Sequence, residues 1–407
     1  MRVLVLGINC FPELTGIGKY TGEMVNWLAE NQHDTTVVTS FPYYPYWKVQ
    51  APYSGTFYKQ EVFNHGKLMV YRCPMYVPET PSGIKRLIHE ATFFLSSFFV
   101  VFGLLFKKKH DLIFAMAPPF HLGFLALFYR FFKGGKIVYH IQDLQVDAAK
   151  ELKMLPSSFF TVLFALERFI LKRVNYVSTI SEGMIKRVKA KFAKEILFFP
   201  NWVDTSNFAP IEHRDSLKQN WGFSAAEKIV LYSGSIGEKQ GLDALIRIAK
   251  HLESYPHIQF VICGTGPYKE KLIDMSAAYN LLNMHFLPLQ ANNVFNQFLN
   301  MADVHLVLQK GDASDLVMPS KLTTILAVGG LALVTANSGT TLSDVVNEHQ
   351  MGVVIVPEDE TLLANTIVEI TAKDMDTLRV NARAYAEQYL NKENILKKIM
   401  SDLTASS

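Results

Sequence analysis

Short apolar runs alternate along the chain with longer stretches in which apolar residues recur at helical spacing. The first run, at 2–8, ends shortly before such a stretch, in which apolar side chains return every three or four residues from Ile17 to Leu28. Further runs predict strands at 35–40, 67–72, 111–116, 136–141, 175–180 and 195–200. This alternation indicates an α/β fold with a doubly wound parallel sheet and helices on both faces.

The pattern restarts at 228–234, where another apolar run leads into a glycine-containing turn and a helical stretch. Later runs predict strands at 257–264, 284–289, 303–308, 331–336 and 352–357. Two Rossmann-like domains therefore fit the chain better than one continuous sheet. We expect an N-terminal domain at 1–203, a C-terminal domain at 204–385, and a final helix at 386–407 that packs back on the first domain.

The composition predicts a folded protein in a reducing compartment. Of the 407 residues, 49% are hydrophobic and 19% are charged, which provides a large core and excludes a disordered chain. The formal net charge of +3 gives no indication of nucleic-acid binding. Cys10, Cys73 and Cys263 show neither metal-ligand spacing nor a disulfide framework, and no signal-peptide cleavage pattern follows the first apolar run. We therefore expect a cytoplasmic location.

Three segments of the first half are unusually apolar and have basic residues in or beside them, at 91–106, 120–136 and 157–173. The first is shorter than the roughly 20 apolar residues that a membrane span needs. These segments are either buried helices of an α/β domain or an interfacial surface whose lysines meet anionic lipid headgroups. Their concentration in one half of the chain favours a monotopic membrane surface.

Glycine-rich turns follow several predicted strands, where doubly wound sheets bind their ligands. Gly16 and Gly18 precede a helix whose N-terminus attracts anions, although a plain tight turn explains them equally simply. The spacing is not that of the dinucleotide fingerprint. Three later turns, at 234–241, 264–267 and 318–322, have the same character. Their candidate phosphate-binding residues are Gly234, Ser235, Lys239, Gly264, Gly266, Ser320 and Lys321.

Polar residues follow the strand predicted at 136–141 in the sequence HIQDLQVD. A histidine and two carboxylates at the end of a buried strand can orient or protonate a reacting hydroxyl group. Asp143 can equally serve as a helix N-cap. The candidates for this acceptor side are His140, Asp143, Asp147, Glu13 and Lys19.

At these residues the sequence resembles the GT-B glycosyltransferases of family 4. The matching segments are TGIGKY, HIQD, STIS, PNWVD, YSGSIGEKQG, CGTGP and MPSKL, in the order typical of the family. FPYYP at 41–45, RCPMYVP at 72–78 and the segment 319–330 resemble the colanic-acid-type fucosyltransferase subgroup.

The resemblance implies retaining transfer from a nucleotide sugar, without a bound metal or a cofactor. The donor would be GDP-fucose, held by the second domain, and the acceptor a lipid-linked saccharide held by the first domain at the inner face of the plasma membrane. His140 and Asp143 would act in catalysis. By motif match the donor would be held by Gly16, Gly18, Gly234, Ser235, Lys239, Gly264, Gly266, Ser320, Lys321 and Leu322.

The sequence departs from the wider family at the donor site. Ser235 occupies the position of a family arginine, and the family's glutamate pair maps onto Leu316 and Thr324. Asp312 and Asp315 are possible substitutes for the missing carboxylates. Three alternatives remain open at this stage: a UDP-sugar donor, a sugar-nucleotide 2-epimerase of the same architecture, and a non-catalytic binding subunit.

Overall fold

The computed structural model describes residues 1–13, 15–147, 157–192, 194–309 and 319–405. The chain forms two compact units, at 1–200 and 201–407. The packing of the final helix on the first domain stays a prediction. Asp312, Asp315 and Leu316 lie outside the described residues, as does the side chain of Lys239.

The first unit contains an eight-stranded sheet with helices between most of its strands. Its strands are β1 (Arg2–Leu6), β2 (Asp34–Ser40), β3 (Lys59–Phe63), β4 (Leu68–Cys73), β5 (Leu112–Ala117), β6 (Lys136–Ile141), β7 (Tyr176–Thr179) and β8 (Ile196–Phe198). Its α-helices are α1 (Gly16–Glu30), α2 (Gly83–Leu104), α3 (Leu122–Lys133), α4 (Ser157–Arg173) and α5 (Glu182–Lys191). The strand order is β3-β4-β2-β1-β5-β6-β7-β8.

The second unit contains a six-stranded parallel sheet in the order β11-β10-β9-β12-β13-β14. Its strands are β9 (Lys228–Ser233), β10 (Ile258–Cys263), β11 (Met284–Leu287), β12 (Val304–Val307), β13 (Ala332–Thr335) and β14 (Gly352–Ile355). Its α-helices are α6 (Asp243–His251), α7 (Lys269–Ala278), α8 (Asn292–Asn300), α9 (Ser320–Ala327), α10 (Thr341–Glu348), α11 (Glu360–Ala372), α12 (Asp376–Tyr389) and α13 (Lys392–Ala405). The predicted class, two doubly wound α/β domains, is confirmed.

Burial explains why the parallel strands form where the apolar runs predict them. Every residue of β5 and of β10 is buried, as expected for strands covered by helices on both faces. The strand missed by the sequence analysis is β3, which pairs antiparallel with β4 at the sheet edge. Its residues alternate between half-buried and exposed, so it has no apolar run.

Each sheet has one point at which the strand order reverses. In the first unit β1 lies between β2 and β5, and in the second unit β9 lies between β10 and β12. A crevice for a ligand forms beyond the carboxyl ends of the strands at such a switch point. The glycine-rich turns that follow β1 and β9 therefore lie where the fold places a binding site.

One face of helix α2 packs against the core of the first unit, and the opposite face is exposed. Its buried positions are His89, Phe93, Ser97, Val101 and Leu104, which follow each other at three- or four-residue spacing. By length and composition alone, α2 is the one helix of the described residues that is long and apolar enough to cross a membrane. Because its buried stripe belongs to the core of the α/β unit, we assign it as a helix of that unit.

Candidate functional site

The turns after β9 and β10 pack directly against each other, backbone to backbone. The Ile236 N–H donates to the carbonyl of Thr265 over 2.9 Å. A Cβ atom on Gly264 would overlap the carbonyl oxygen of Gly234, and one on Gly266 would overlap that of Ile236. Glycine at 264 and 266 is therefore required for this packing, whether or not a ligand also approaches these turns.

The ammonium group of Lys321 lies over the end of β9. Its Nζ is 3.7 Å from the ring centroid of Tyr232. A Cβ atom on Gly234 would come within 3.2 Å of the same Nζ, so glycine makes room for the lysine. Burial lowers the pKa of the Lys321 ammonium to about 7. The first turn of α9 thus delivers a cationic group to the switch point of the second sheet.

Lys218, another buried lysine of the second unit, has the carboxylate partners that Lys321 lacks among the described residues. The Lys218 side chain is fully buried, and its Nζ contacts Asp215 at 2.7 Å and Asp303 at 2.9 Å. For Lys321, burial is the sole cause of the lowered pKa, and no carboxylate among the described residues forms an ion pair with it. A partly desolvated cation without a counter-charge favours binding of an anion.

The neighbours of Lys321 differ in what they offer a ligand. Ser320, the first residue of α9, and Ser235, after β9, are both exposed. Leu322 is wholly buried in the core, and its N–H donates to the carbonyl of Pro319 over 2.9 Å. The side chain and the N–H of Leu322 are thus already used within the protein, and its contact with the donor stays a prediction.

In the first unit, Glu13 connects the loops that follow β1 and β2. Its Oε1 accepts hydrogen bonds from the N–H groups of Tyr43 and Tyr44, each over 2.9 Å, and its Oε2 accepts one from Asn9. Burial raises the pKa of this carboxyl group. A Cβ atom on Gly18 would lie 2.5 Å from Glu13 Oε2, so Gly18 makes room for the carboxylate. This geometry gives Glu13 a structural role in shaping the loops, and its contact with an acceptor stays a prediction.

Gly16 and Lys19 lie in the first turn of α1, at the switch point of the first sheet. Gly16 is exposed and has a positive φ of 59°. Lys19 is half-buried, with its Nζ 5.4 Å from the ring centroid of Tyr20. The exposed backbone at Gly16 is open to a ligand, and its role in donor binding stays a prediction.

His140 is a buried residue of β6. Its Nδ1 is hydrogen-bonded to the Ser178 hydroxyl over 3.0 Å, and its ring packs on Phe199 at a centroid distance of 4.7 Å. Burial lowers the pKa of His140 to about 3, so the ring is neutral at pH 7. A weakly basic imidazole enclosed in this way is better suited to positioning its neighbours than to moving a proton.

Asp143 and Asp147 follow β6 and have different environments. Asp143 is exposed to solvent. Even so, partial burial of its carboxyl group and, to a lesser extent, the nearby charge of Asp147 raise its pKa. Asp147 forms an ion pair with Lys191, whose Nζ also lies 3.1 Å from Glu167. Asp147 is thus neutralised within the unit, whereas Asp143 remains available to a ligand.

Glu90, a candidate that the sequence analysis missed, lies on α2 near the carboxyl edge of the first sheet. It accepts a hydrogen bond of 2.6 Å from Gln145 Nε2, and burial raises its pKa to about 7. In the same part of the unit, the Nε2 atoms of His89 and His121 are buried and have no hydrogen-bond partner among the described residues. A titrating carboxyl group beside unpartnered imidazole nitrogens suits a ligand rich in hydroxyl groups.

The described residues contain no group of three or more His, Cys, Asp or Glu side chains arranged to hold a metal ion. The three cysteines are free and buried. Among the described residues, the strongest candidates for ligand chemistry are the Lys321 ammonium in the second unit and the Glu90 and Asp143 carboxyls in the first.

Two doubly wound α/β domains in one chain, each with polar residues beyond the carboxyl ends of its strands, are the architecture of the GT-B class of fold. The profile of the family "Glycosyl transferases group 1" matches residues 213–389, and that of the "Glycosyl transferase 4-like domain" matches residues 15–202. The chain belongs to the group 1 glycosyltransferases and is a glycosyltransferase, as the sequence motifs predict.

A relative in Escherichia coli supports the same assignment over the full length. The chain is 41% identical to the putative colanic acid biosynthesis glycosyl transferase WcaI, over 99% of this chain and 100% of that protein. Two solved structures share the fold. Sucrose-phosphate synthase from Thermosynechococcus elongatus has a TM-score of 0.76 at 16% identity, covering 100% of both chains. Anabaena HepE, solved with UDP and glucose, has a TM-score of 0.70 at 16% identity, covering 99% of both chains.

Because Lys321 is buried without a carboxylate partner among the described residues, its removal should stabilise the folded protein and weaken anion binding. Because the folded pKa lies below the ordinary value of 10.5, the folded protein loses stability through this group as the pH falls from 10.5 towards 7. Lys321→Met removes that cost and should raise the melting temperature at pH 7. The same variant should lose any stabilisation by a nucleoside diphosphate, which for a ligand at 100 times its Kd is about 2.7 kcal/mol. Thermal unfolding with and without GDP and UDP measures both effects.

The matched control is Lys373→Met, because Lys373 is exposed and forms its ion pair with Glu369 on the helix surface. We expect this control to keep the stabilisation by whichever nucleoside diphosphate stabilises the wild type. Wild-type affinity for that nucleotide in Lys321→Met would place the diphosphate elsewhere.

The raised pKa of Glu90 predicts that the difference in stability between the wild type and Glu90→Gln depends on pH. Its folded pKa of about 7 exceeds the ordinary 4.5, so the folded state holds a proton that the unfolded chain has released. Stability through this group is therefore complete below pH 4.5 and falls as the pH rises towards 7. Glu90→Gln should match the wild type near pH 4.5 and exceed it at pH 8, by at most about 3 kcal/mol. Denaturant unfolding at both pH values, with the exposed Glu30→Gln as control, measures this trend. A difference that does not change with pH would contradict the raised pKa.

Proposed function

We propose that this glycosyltransferase transfers L-fucose from GDP-fucose to a lipid-linked saccharide during assembly of a colanic-acid-type exopolysaccharide. The observation that carries the proposal is the Lys321 ammonium above the glycine-rich turn of the second unit, which has no carboxylate partner among the described residues. A diphosphate would supply negative charge at this position. The assignment of the E. coli relative to colanic acid biosynthesis supports the choice of pathway.

The proposed reaction retains the anomeric configuration and uses no metal ion. The bond between the sugar C1 and the donor phosphate oxygen breaks, and a bond forms between C1 and the acceptor oxygen on the same face. The proton of the acceptor hydroxyl passes to the departing phosphate oxygen. Lys321 stabilises the negative charge that develops on the diphosphate. This route needs no strong protein base, which agrees with the neutral, enclosed state of His140.

The acceptor is proposed to bind the first unit, at the carboxyl edge of its sheet. Asp143 and Glu90 are the carboxyl groups that can accept hydrogen bonds from sugar hydroxyls there. Because Asp147 is paired with Lys191, its contribution would be to hold the loop after β6 in place.

A lipid-linked acceptor requires the enzyme to work at a membrane, and the first unit has a surface suited to that. Helices α2, α3 and α4 share an aromatic face. The ring centroids of Phe98 and Phe128 are 5.0 Å apart, and those of Phe124 and Phe169 are 6.0 Å apart. The outermost rings, including Phe106 and several neighbours, are largely exposed. The exposed phenylalanines of this face are Phe99, Phe102, Phe106, Phe131, Phe132 and Phe169.

Basic residues border this aromatic face. Lys107, Lys108 and Lys109 follow α2 directly and are all exposed. Apolar rings beside lysines match the acyl boundary and the anionic headgroups of a bilayer leaflet. We therefore infer a peripheral, monotopic location at the cytoplasmic face of the membrane.

The donor proposal is tested by incubating the protein with GDP-fucose, GDP-mannose, UDP-glucose and UDP-N-acetylglucosamine. GDP-fucose should give the largest rise in melting temperature, and GDP release should require a polyprenyl diphosphate saccharide. Lys321→Ala should lower turnover by on the order of 10²–10³, with Lys373→Ala as control. Turnover should survive EDTA, and the product should keep the anomeric configuration of the donor.

Each alternative has its own result in this experiment. Preferential stabilisation and turnover with a UDP-sugar would show that the donor is a UDP-sugar and not GDP-fucose. A changed sugar without any acceptor would identify a 2-epimerase. Binding of a saccharide without turnover of any donor would identify a non-catalytic subunit.

The membrane proposal predicts a loss of vesicle binding when exposed rings are removed. Phe106 and Phe131 are 79% and 80% exposed, so replacing both by Ser should leave the fold intact. Burial of a phenylalanine ring contributes about 1.5–3 kcal/mol, so Phe106→Ser with Phe131→Ser should weaken binding to anionic vesicles at least about tenfold. Leu282→Ser is the control, because Leu282 is 90% exposed in the second unit. Equal vesicle binding by the two variants would contradict the proposed surface.

A further inference from the structure

A second cationic feature lies at the opposite edge of the first sheet from the candidate acceptor site. A cavity of about 280 Å³ opens where β1 and β2 begin and where α2 ends. The charged residues that line it are Arg2, Asp34, Lys67 and Lys107, and His110 forms part of its wall. The reaction proposed above makes no use of this cavity.

The cavity has an excess of positive charge. Lys67 pairs with Asp34 at 2.9 Å, so these two charges largely cancel. Lys107 Nζ donates to the hydroxyl of Tyr71 over 2.6 Å, which leaves its charge without a carboxylate partner among the described ion pairs. Arg2 adds a guanidinium group. The lining thus has three cationic side chains, Arg2, Lys67 and Lys107, and one carboxylate, Asp34, which interacts with both Lys67 and Arg2.

Arg2 provides the observation that points to a ligand. Its Nη1 atom is buried and has no hydrogen-bond partner in the part of the chain that the structure describes. The nearby Asp111 carboxylate accepts a hydrogen bond from the Arg2 backbone N–H over 2.8 Å. A buried guanidinium nitrogen without an acceptor is costly unless a ligand provides one.

The wall of the cavity is neutral and well fixed. His110 is buried, with Nδ1 hydrogen-bonded to the Tyr129 hydroxyl at 2.7 Å and Nε2 to the Thr36 hydroxyl at 3.0 Å. Burial lowers its pKa to about 4, so the imidazole carries no charge at pH 7. The charge that a ligand meets comes from Arg2 and Lys107.

We propose that this cavity binds a phosphate ester, with Arg2 and Lys107 as its charged donors. The guanidinium fork and the ammonium group are the side chains that proteins commonly use for phosphate oxygens. Lys107 follows α2, whose exposed face contributes Phe99 and Phe102 to the proposed membrane surface. A phospholipid headgroup is therefore one source of the phosphate, and a soluble phosphate ester is the other. The inference adds a specific site to the proposed membrane contact and does not depend on the transfer reaction.

The first arm of the test measures binding of sn-glycerol 1-phosphate by calorimetry at constant ionic strength. All proteins carry Lys321→Met, so that the candidate donor site does not contribute. Arg2→Gln and Lys107→Gln should each weaken binding about tenfold or more, and Arg2→Lys should retain part of it. The control is Lys108→Gln, because Lys108 is exposed next to Lys107 and does not line the cavity.

The second arm measures binding to phosphatidylglycerol vesicles with the same variants. A larger loss for Arg2→Gln than for Lys108→Gln in both arms supports a lipid headgroup as the ligand. A larger loss with glycerol phosphate alone supports a soluble phosphate ester. Equal behaviour of Arg2→Gln and Lys108→Gln in both arms would overturn the site. Because neither arm measures sugar transfer, failure of the proposed donor reaction would leave these results unchanged.

Discussion

A parallel sheet buried on both faces permits polar chemistry only at the ends of its strands. All residues of β5 and β10 are buried, and their peptide groups are used in the ladder hydrogen bonds of the sheet. Side chains that meet a ligand must therefore come from the loops and helix starts beyond the strands. The reversal of strand order at β1 and at β9 then selects which of these loops border a crevice.

In the second unit, this constraint places the Lys321 ammonium at the end of β9, without a carboxylate partner among the described residues. The glycine turns after β9 and β10 pack so closely that they form a fixed surface beneath Lys321. The ring of Tyr232 offsets part of the desolvation of the ammonium group, since a cation–π contact contributes about 0.5–2 kcal/mol. Lys218, by contrast, has two carboxylate partners and contributes to the fold alone. This difference in partners is the reason for proposing Lys321, and not Lys218, as a phosphate-binding group.

The hydrophobic pattern of the sequence was sufficient to predict the fold. Buried parallel strands are nearly continuous apolar runs, so every strand predicted from such a run is present in the structure. The edge strand β3 escaped prediction because KQEVF has no such run and one face of an antiparallel edge strand meets solvent. The strand ends and their glycine turns were also predictable, since glycine and a following helix leave a local signal.

Individual site roles were less predictable because they depend on partners distant in sequence. The enclosure of His140 requires Ser178, and the burial of Glu13 requires the backbone of Tyr43 and Tyr44. No local pattern contains those contacts. Glu90 was missed for a related reason, as a carboxyl group within an apolar stretch is easily interpreted as part of a helix surface. Its position as the one acidic residue in the segment Gly83–Leu104 was the available signal.

Helix α2 connects the two properties that the first unit combines. Its amino-terminal half brings Glu90 to Gln145, at the carboxyl edge of the sheet. Its exposed face carries Phe99 and Phe102, and contiguous apolar surface of this kind is rare on soluble monomers. An acceptor with a lipid anchor stays in the bilayer, so an enzyme that uses it must bring its acceptor site to the membrane surface. Because one helix supplies both the carboxyl group proposed to face the acceptor and the apolar face proposed to meet the membrane, membrane contact would fix the distance between the bilayer and the reacting sugar.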